Sequence, residues 1–159
     1  MPLTSAILAL TILGGPQDPA AHGSDAAKPL VRFIEEVWNK GDYSVIPQVV
    51  APGARLHYRD YTSTEVESVV KLWRTAFPDF HFKIEEVIVQ GDKVAARLPF
   101  TGTQRGEFWG QAPTGRRINV TETLLCHVKN GQLSECWEDW DEYGMRMQLG
   151  LIPAPHKSP

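Results

Sequence analysis

The sequence predicts an α+β domain in which three helices from the first half of the chain pack on one face of a curved antiparallel sheet built from the second half. Two observations predict it. Up to Phe77, apolar residues recur at spacings of three and four, the period of a helix with one buried stripe. After Pro78 the period shortens toward alternation, and paired runs flank Gly91-Asp92 and Asn130-Gly131, the second being a strong two-residue hairpin signal. Helices followed by strands, rather than alternating with them, favour helices layered on one face of a sheet.

The folded unit begins at Lys28. Pro29 suits a first helical turn, and Leu30, Phe33, Ile34, Val37 and Trp38 form one stripe before Asn39-Lys40-Gly41-Asp42 closes the helix. Residues 43–50 read as a second, shorter helix stopped by Ala51-Pro52-Gly53, and Arg55-Leu56-His57-Tyr58 as a short strand. The third helix covers 65–77, with Val66, Val69, Val70 and Trp73 on one side and Thr62-Ser63-Thr64 as capping candidates. Strands follow over 80–90, 93–103, 117–129 and 132–142.

Residues 28–152 therefore make one domain, with 1–27 a leader and 153–159 a tail. The leader carries the apolar run from Ala6 to Leu13, too short to span a bilayer and without a positive flank before it. A disordered extension and an export signal both fit, which leaves cytoplasmic and exported locations open. With 42% hydrophobic and 22% charged residues the chain can bury an ordinary core. A net charge of -3 with no basic face argues against a nucleic-acid partner, and no run is long enough to predict a membrane span. His22 and His156 fall in the presumed tails, so no set of metal ligands is expected.

The chemistry concentrates in Cys136-Trp137-Glu138-Asp139-Trp140-Asp141-Glu142-Tyr143-Gly144. Acidic groups between two tryptophans suit a cavity wall better than a solvated loop. Carboxyls beside large apolar rings lose hydration, their pKa values rise, and they can move protons near neutral pH. A tight turn at Asn130-Gly131 places Cys126 opposite Glu135, Leu124 opposite Trp137, Glu122 opposite Asp139 and Val120 opposite Asp141 on one face. Glu122 and Asp139 then form a like-charge pair, which needs a proton, a cation or a function to compensate it unless one of them reaches solvent. The same register puts Cys126 and Cys136 on opposite faces and predicts that they are not bonded.

Other residues carry weaker signals. His57 reads either as a hydrogen-bonding group of a pocket or as a partly exposed strand histidine, and Tyr58 as a candidate for the pocket wall. Arg97 falls opposite Glu86 across the Gly91-Asp92 turn and reads as a structural ion pair. Trp38 and Trp73 lie on helix stripes and suit the core, whereas Trp109, between strands, suits a lid over a cavity mouth.

Ala76-Phe77-Pro78-Asp79-Phe80, Gly91-Asp92-Lys93-Val94-Ala95-Ala96-Arg97, Thr101-Gly102-Thr103, Gly106-Glu107-Phe108-Trp109-Gly110 and Pro113-Thr114-Gly115-Arg116-Arg117 occur in that order, with Gly144 and Gln148-Leu149-Gly150 after them. Together they resemble the SnoaL-like polyketide cyclase, or ester cyclase, branch of the NTF2-like superfamily over about 29–152. The resemblance implies an NTF2-like cone, commonly a homodimer through its sheet, whose hollow holds a small hydrophobic or polyketide-like ligand. It also implies an aldol cyclisation run without metal or cofactor by an aspartate on the last strand. The family pattern of Trp, three residues, Asp and then Gly-x-x-x-Gln-Leu-Gly falls on Trp137, Asp141 and 144–150. Asp141 is thus the implied acid/base, with Asp139 its rival from the residues alone. The chain departs from the pattern at Gln104, where many relatives have histidine. It departs again at Leu124, where a polar residue is common and Glu122 lies one alternation earlier.

The candidate site is therefore Asp141, Asp139 and Glu122 for proton transfer, with Trp137, His57, Tyr58, Trp109 and Leu124 as substrate contacts. Three functions fit: a cofactor-independent cyclase or isomerase acting beside a carbonyl, a non-catalytic small-molecule binder of the same fold, and a structural module whose sheet only dimerises.

Overall fold

The computed structural model describes residues 25–56 and 59–153. The first stripe is wound as α1 (Lys28–Arg32), which runs directly into a π-helical segment, Phe33–Asn39, burying Leu30, Phe33, Ile34 and Val37. Arg74 donates to the carbonyls of Trp38 and Asn39 at 2.7 and 2.9 Å, satisfying acceptors that a helix end leaves open. The Asn39 side chain pairs with both backbone groups of Phe82, at 2.9 and 2.8 Å, and so ties this segment to the sheet.

A 3₁₀ turn at Tyr43–Val45 leads into α2 (Ile46–Val49), so the second helix is split and shorter than the pattern suggests. Strands β1 (Val50–Leu56) and β2 (Arg59–Tyr61) follow, then α3 (Ser63–Ala76), which opens on a capping box between Thr62 and Glu65. Strands β3 (His81–Phe82), β4 (Glu86–Gln90), β5 (Lys93–Thr103), β6 (Arg117–Lys129) and β7 (Gln132–Trp140) complete the sheet. Its order is β2-β1-β7-β6-β5-β3, with β4 also on β5. Leu98, Phe100, Ile118 and Leu133, each 2% exposed or less, meet the helices across the concave face. Each such side chain is worth about 1.5–3 kcal/mol relative to exposure.

The α+β class stands, with three corrections of detail. β1 lies parallel to β7, with Val50 beside Leu133 and Leu56 beside Cys136, so the sheet is not wholly antiparallel. The chain leaves α2 at the turn end of the β6/β7 hairpin, where Gln132 donates to the Pro47 carbonyl at 2.9 Å, and must therefore run the same way as β7. Secondly, the last strand does not continue to Glu142. Asp141 accepts from the Gly144 N–H at 2.7 Å and caps a fourth helix, α4 (Glu142–Leu149), which ends at left-handed Gly150. Gly144 packs so closely on that carboxylate that a Cβ there would collide with it.

The third correction concerns register. Lys129 faces Gln132 as expected, but the pairing shifts by one residue near Ser134, so Glu122 faces Trp140, Leu124 faces Glu138 and Cys126 faces Cys136. Leu133 and Cys136, three apart, both point inward at 1% and 5% exposure, which strict alternation forbids and a bulge allows. Cys126 and Cys136 consequently share the concave face and are joined by a disulfide, Cα to Cα 4.1 Å. The expectation of unbonded cysteines fails because it assumed an unbroken ladder.

Candidate functional site

A tight hairpin gives the sheet its chemistry. β6 presents Val120, Glu122, Leu124 and Cys126 to the concave side by simple alternation, all buried. The bulge re-aims β7 so that Cys136, Glu138 and Trp140 face the same way, while Trp137 and Asp139 face outward opposite Leu125 and Thr123. Glu122 lies between Leu98 on β5 and Trp140 on β7, with Glu138 its diagonal neighbour.

Two pockets meet at this pair. One, of about 80 Å³, is mainly aliphatic, with Ile34, Val50, Leu56, Val70, Leu124 and Leu133 in its wall. The other, of about 250 Å³, is aromatic, lined among others by Trp73, Phe80, Phe82, Phe100, Trp109 and Trp140. Both include Trp38, Val69, Glu122 and Glu138 in their lining, so the two carboxyls sit where the compartments adjoin. Neither lining contains Lys, Arg or His among the described residues.

The environment separates the roles of the two acids. Glu122 is 9% exposed, and no described residue donates a hydrogen bond to it. Burial first, and the charge of Glu138 second, push its pKa from 4.5 up to about 8, because both penalise the ionised form. Near neutral pH Glu122 is a carboxylic acid with a proton to give. Glu138 is the more exposed of the pair and can carry the negative charge. Two neighbouring carboxyls in environments as different as these have the elements of an acid/base pair.

The aromatic compartment is closely packed. Trp73 packs edge-on to Phe100 and Trp140 at centroid distances of 5.8 and 5.7 Å, and Phe80 contacts Trp38 and Phe100 at 5.5 and 5.3 Å. Trp109 sits in a turn closed by reciprocal bonds between Phe108 and Gln111, and has φ 49°. It stacks on Phe108 at 4.4 Å, approaches Trp140 at 6.1 Å and remains 47% exposed, as a group at the rim of the cavity would.

The predicted site residues are thus dispersed. Glu122 and Leu124 line the aliphatic pocket and Trp109 the aromatic one. Asp139 and Trp137 lie on the outer face, and Asp141 is engaged in capping α4. His57 and Tyr58, like the leader's apolar run, lie outside the described residues. Glu138 was missed because the assumed ladder turned it outward. The available signal was the three-residue spacing of Leu133 and Cys136. Gln104, at the position noted for its lack of histidine, is fully buried and bonds Thr114 Oγ1 at 2.8 Å, so it braces a loop away from both pockets. Arg97 faces Glu86 as expected, and its guanidinium also bonds Glu85.

Comparison with known proteins places this geometry. The family described as SnoaL-like polyketide cyclase matches residues 28–149. Aklanonic acid methyl ester cyclase AcmA of Streptomyces galilaeus is 31% identical over 129 residues, which are 76% of this chain and 88% of AcmA. Among solved structures, wild-type IdmH of Streptomyces antibioticus, a proposed polyketide cyclase, superposes with a TM-score of 0.71 at 26% identity, covering 80% of this chain and 99% of IdmH. AclR of Streptomyces galilaeus, a proposed hydroxylase, gives 0.74 at 24% identity over 84% of this chain and 89% of its own, a likeness of fold alone.

Proposed function

The chain belongs to the SnoaL-like polyketide cyclase family, and on that premise we propose that it is a cofactor-independent enzyme acting by carboxyl acid/base catalysis on a small hydrophobic carbonyl compound. The observation that carries the reading is a buried Glu122 beside Glu138 where an aliphatic and an aromatic pocket adjoin, its burial pushing its pKa up. In an aldol-type closure the Glu138 carboxylate removes a proton from the carbon next to a carbonyl. The enolate carbon attacks a second carbonyl of the same molecule, and the new alkoxide takes the Glu122 proton. Glu138 ends protonated and Glu122 ionised, and a proton passing between them, directly or through water, resets the pair. In this proposal proton transfer moves from Asp141 and Asp139 to Glu138 and Glu122, because only the latter line the pockets.

The same premise supports a homodimer through the sheet. Ile88, Ala95, Leu125 and Trp137 face each other in one row across β4 to β7 on the outer face, with Ile88 58% and Leu125 40% exposed. A row of that kind suits burial against a second copy.

The test is turnover of a neutral aromatic ester carrying two reactive carbonyls, followed by absorbance, with Glu138→Gln, Glu122→Gln and Asp141→Asn. The first two should lower kcat by about two to four orders of magnitude while binding changes little, and the third should act mainly on stability. Full activity in both glutamine variants would overturn the mechanism. Loss confined to Asp141→Asn would return the role to that aspartate.

A further inference from the structure

The disulfide belongs to the buried core, and at Cys136 it also forms part of the wall of the hollow; the acid/base reading makes no use of it. Cys126 is 0% and Cys136 5% exposed, and Cys136 rather than Cys126 lines the aliphatic pocket. Val94 of β5, 0% exposed, pairs with Cys126, and Leu56 of β1, which pairs with Cys136, lines the same pocket. The aliphatic pocket that reaches Cys136 also includes Val69, which is 38% exposed on α3. An approach to Cys136 through this pocket, whose exposed lining includes Val69, passes through the space a ligand would fill. Two residues beyond Cys136, on the same face, stands Glu138, so the bond also holds the strand frame that presents this carboxylate.

We propose that the Cys126–Cys136 bond is a thiol-exchange site that opens only into the hollow, so that occupancy of the hollow and the redox state of the bond control each other. The co-reactant is a small thiol. Its thiolate enters the pocket and attacks Cys136 Sγ; a mixed disulfide forms there, the Cys126–Cys136 bond breaks, and Cys126 leaves as a thiolate that takes up a proton. A second thiolate attacks the small-molecule sulfur of the mixed disulfide, releasing Cys136 as a thiolate that is protonated in turn. Two small thiols are oxidised to one disulfide, and the protein bridge is reduced by two electrons. The carboxylate of Glu138 repels the incoming thiolate, which makes exchange slow, and a bound ligand blocks it. Release of the bond in turn loosens the frame that holds Glu138 in the pocket wall, so the reduced protein binds an apolar ligand less tightly, and linkage makes that effect reciprocal. The inference rests on the hollow being the ligand site but not on any turnover.

The experiment uses the oxidised full chain and 2-mercaptoethanol, with thiols trapped by iodoacetamide and counted by intact mass. Three arms are compared: the protein alone, the protein saturated with the neutral apolar dye Nile red, and Val69→Trp, which obstructs the opening from the exposed side of α3. Reduction should slow about tenfold in the second and third arms. Equal rates in the first and third arms, or a urea dependence of reduction equal to that of global unfolding, overturn access through the hollow. The Kd for Nile red should rise at least severalfold on reduction, and Cys126→Ser/Cys136→Ser should bind like the reduced protein and ignore the thiol. An unchanged Kd, or no dye binding at all, overturns the coupling. Neither result touches the acid/base reading, which stands or falls on the turnover of the glutamate variants.

Discussion

Burying Glu122 in the sheet makes the protein less stable as pH rises, by an amount that can be worked out. The folded-state pKa is about 8 against an ordinary 4.5, so between those values the native state holds a proton that the unfolded chain has released. Stability is therefore complete below about pH 4.5 and is lost progressively until about pH 8. At about 1.4 kcal/mol per pH unit the whole effect is about 5 kcal/mol, of which about 4 falls between pH 5 and 9. Glu122→Gln keeps the shape and cannot ionise, so it removes this slope. Urea unfolding of wild type and variant at several pH values, read by fluorescence of the five tryptophans, gives the difference directly. Other titrating groups cancel in the comparison. The variant should be more stable than wild type at pH 9 by several kcal/mol and should lose that advantage near pH 5. Parallel stability curves would show that Glu122 is not held neutral, and the proton donor of the proposed mechanism would be lost with it.

Four further variants probe the same architecture. Cys126→Ser/Cys136→Ser removes a bond spanning ten positions of sequence and should cost about 3 kcal/mol, roughly 10 °C in Tm by calorimetry; no change would mean the cysteines are unbonded in solution. Asp141→Ala should cost about 1 kcal/mol through loss of the α4 cap, measured by urea unfolding; Gly144→Ala should cost at least as much, because its Cβ meets the capping carboxylate. Leu125→Glu, on the outer face, should shift sedimentation toward a monomer while leaving the fold intact by circular dichroism; an unchanged sedimentation coefficient would remove that face from the dimer proposal.

The helices were legible because their stripes are long. Leu30 to Val37 and Val66 to Ala76 have a period that no strand can satisfy with one buried face. The Asn130-Gly131 turn was legible for its steric reason: both residues have positive φ, 53° and 76°, a two-residue turn that Asn-Gly favours. The faces of β7 were not, because a bulge at Ser134 depends on what the strand packs against and leaves only a spacing anomaly behind. Asp141 and Gly144 were visible as a motif but not as a cap, since a carboxylate bonded to an amide three residues on reads the same in sequence whether it ends a strand or begins a helix.

Ser134 also bears on how such a pocket can change. The extra residue sets the phase of everything after it: were Ser134 drawn into the ladder opposite His127, the strand beyond it would turn over as a unit. Trp137 and Asp139 would replace Glu138 and Trp140 on the inner surface, and Cys136 would leave its partner. The peptide 136–140 thus encodes two alternative walls, each with an aromatic and an acid, and the covalent link to Cys126 selects between them. For a scaffold that meets new substrates, a one-residue slip of register separates two acid placements, and the cystine is the latch that must be undone before the strand can slip.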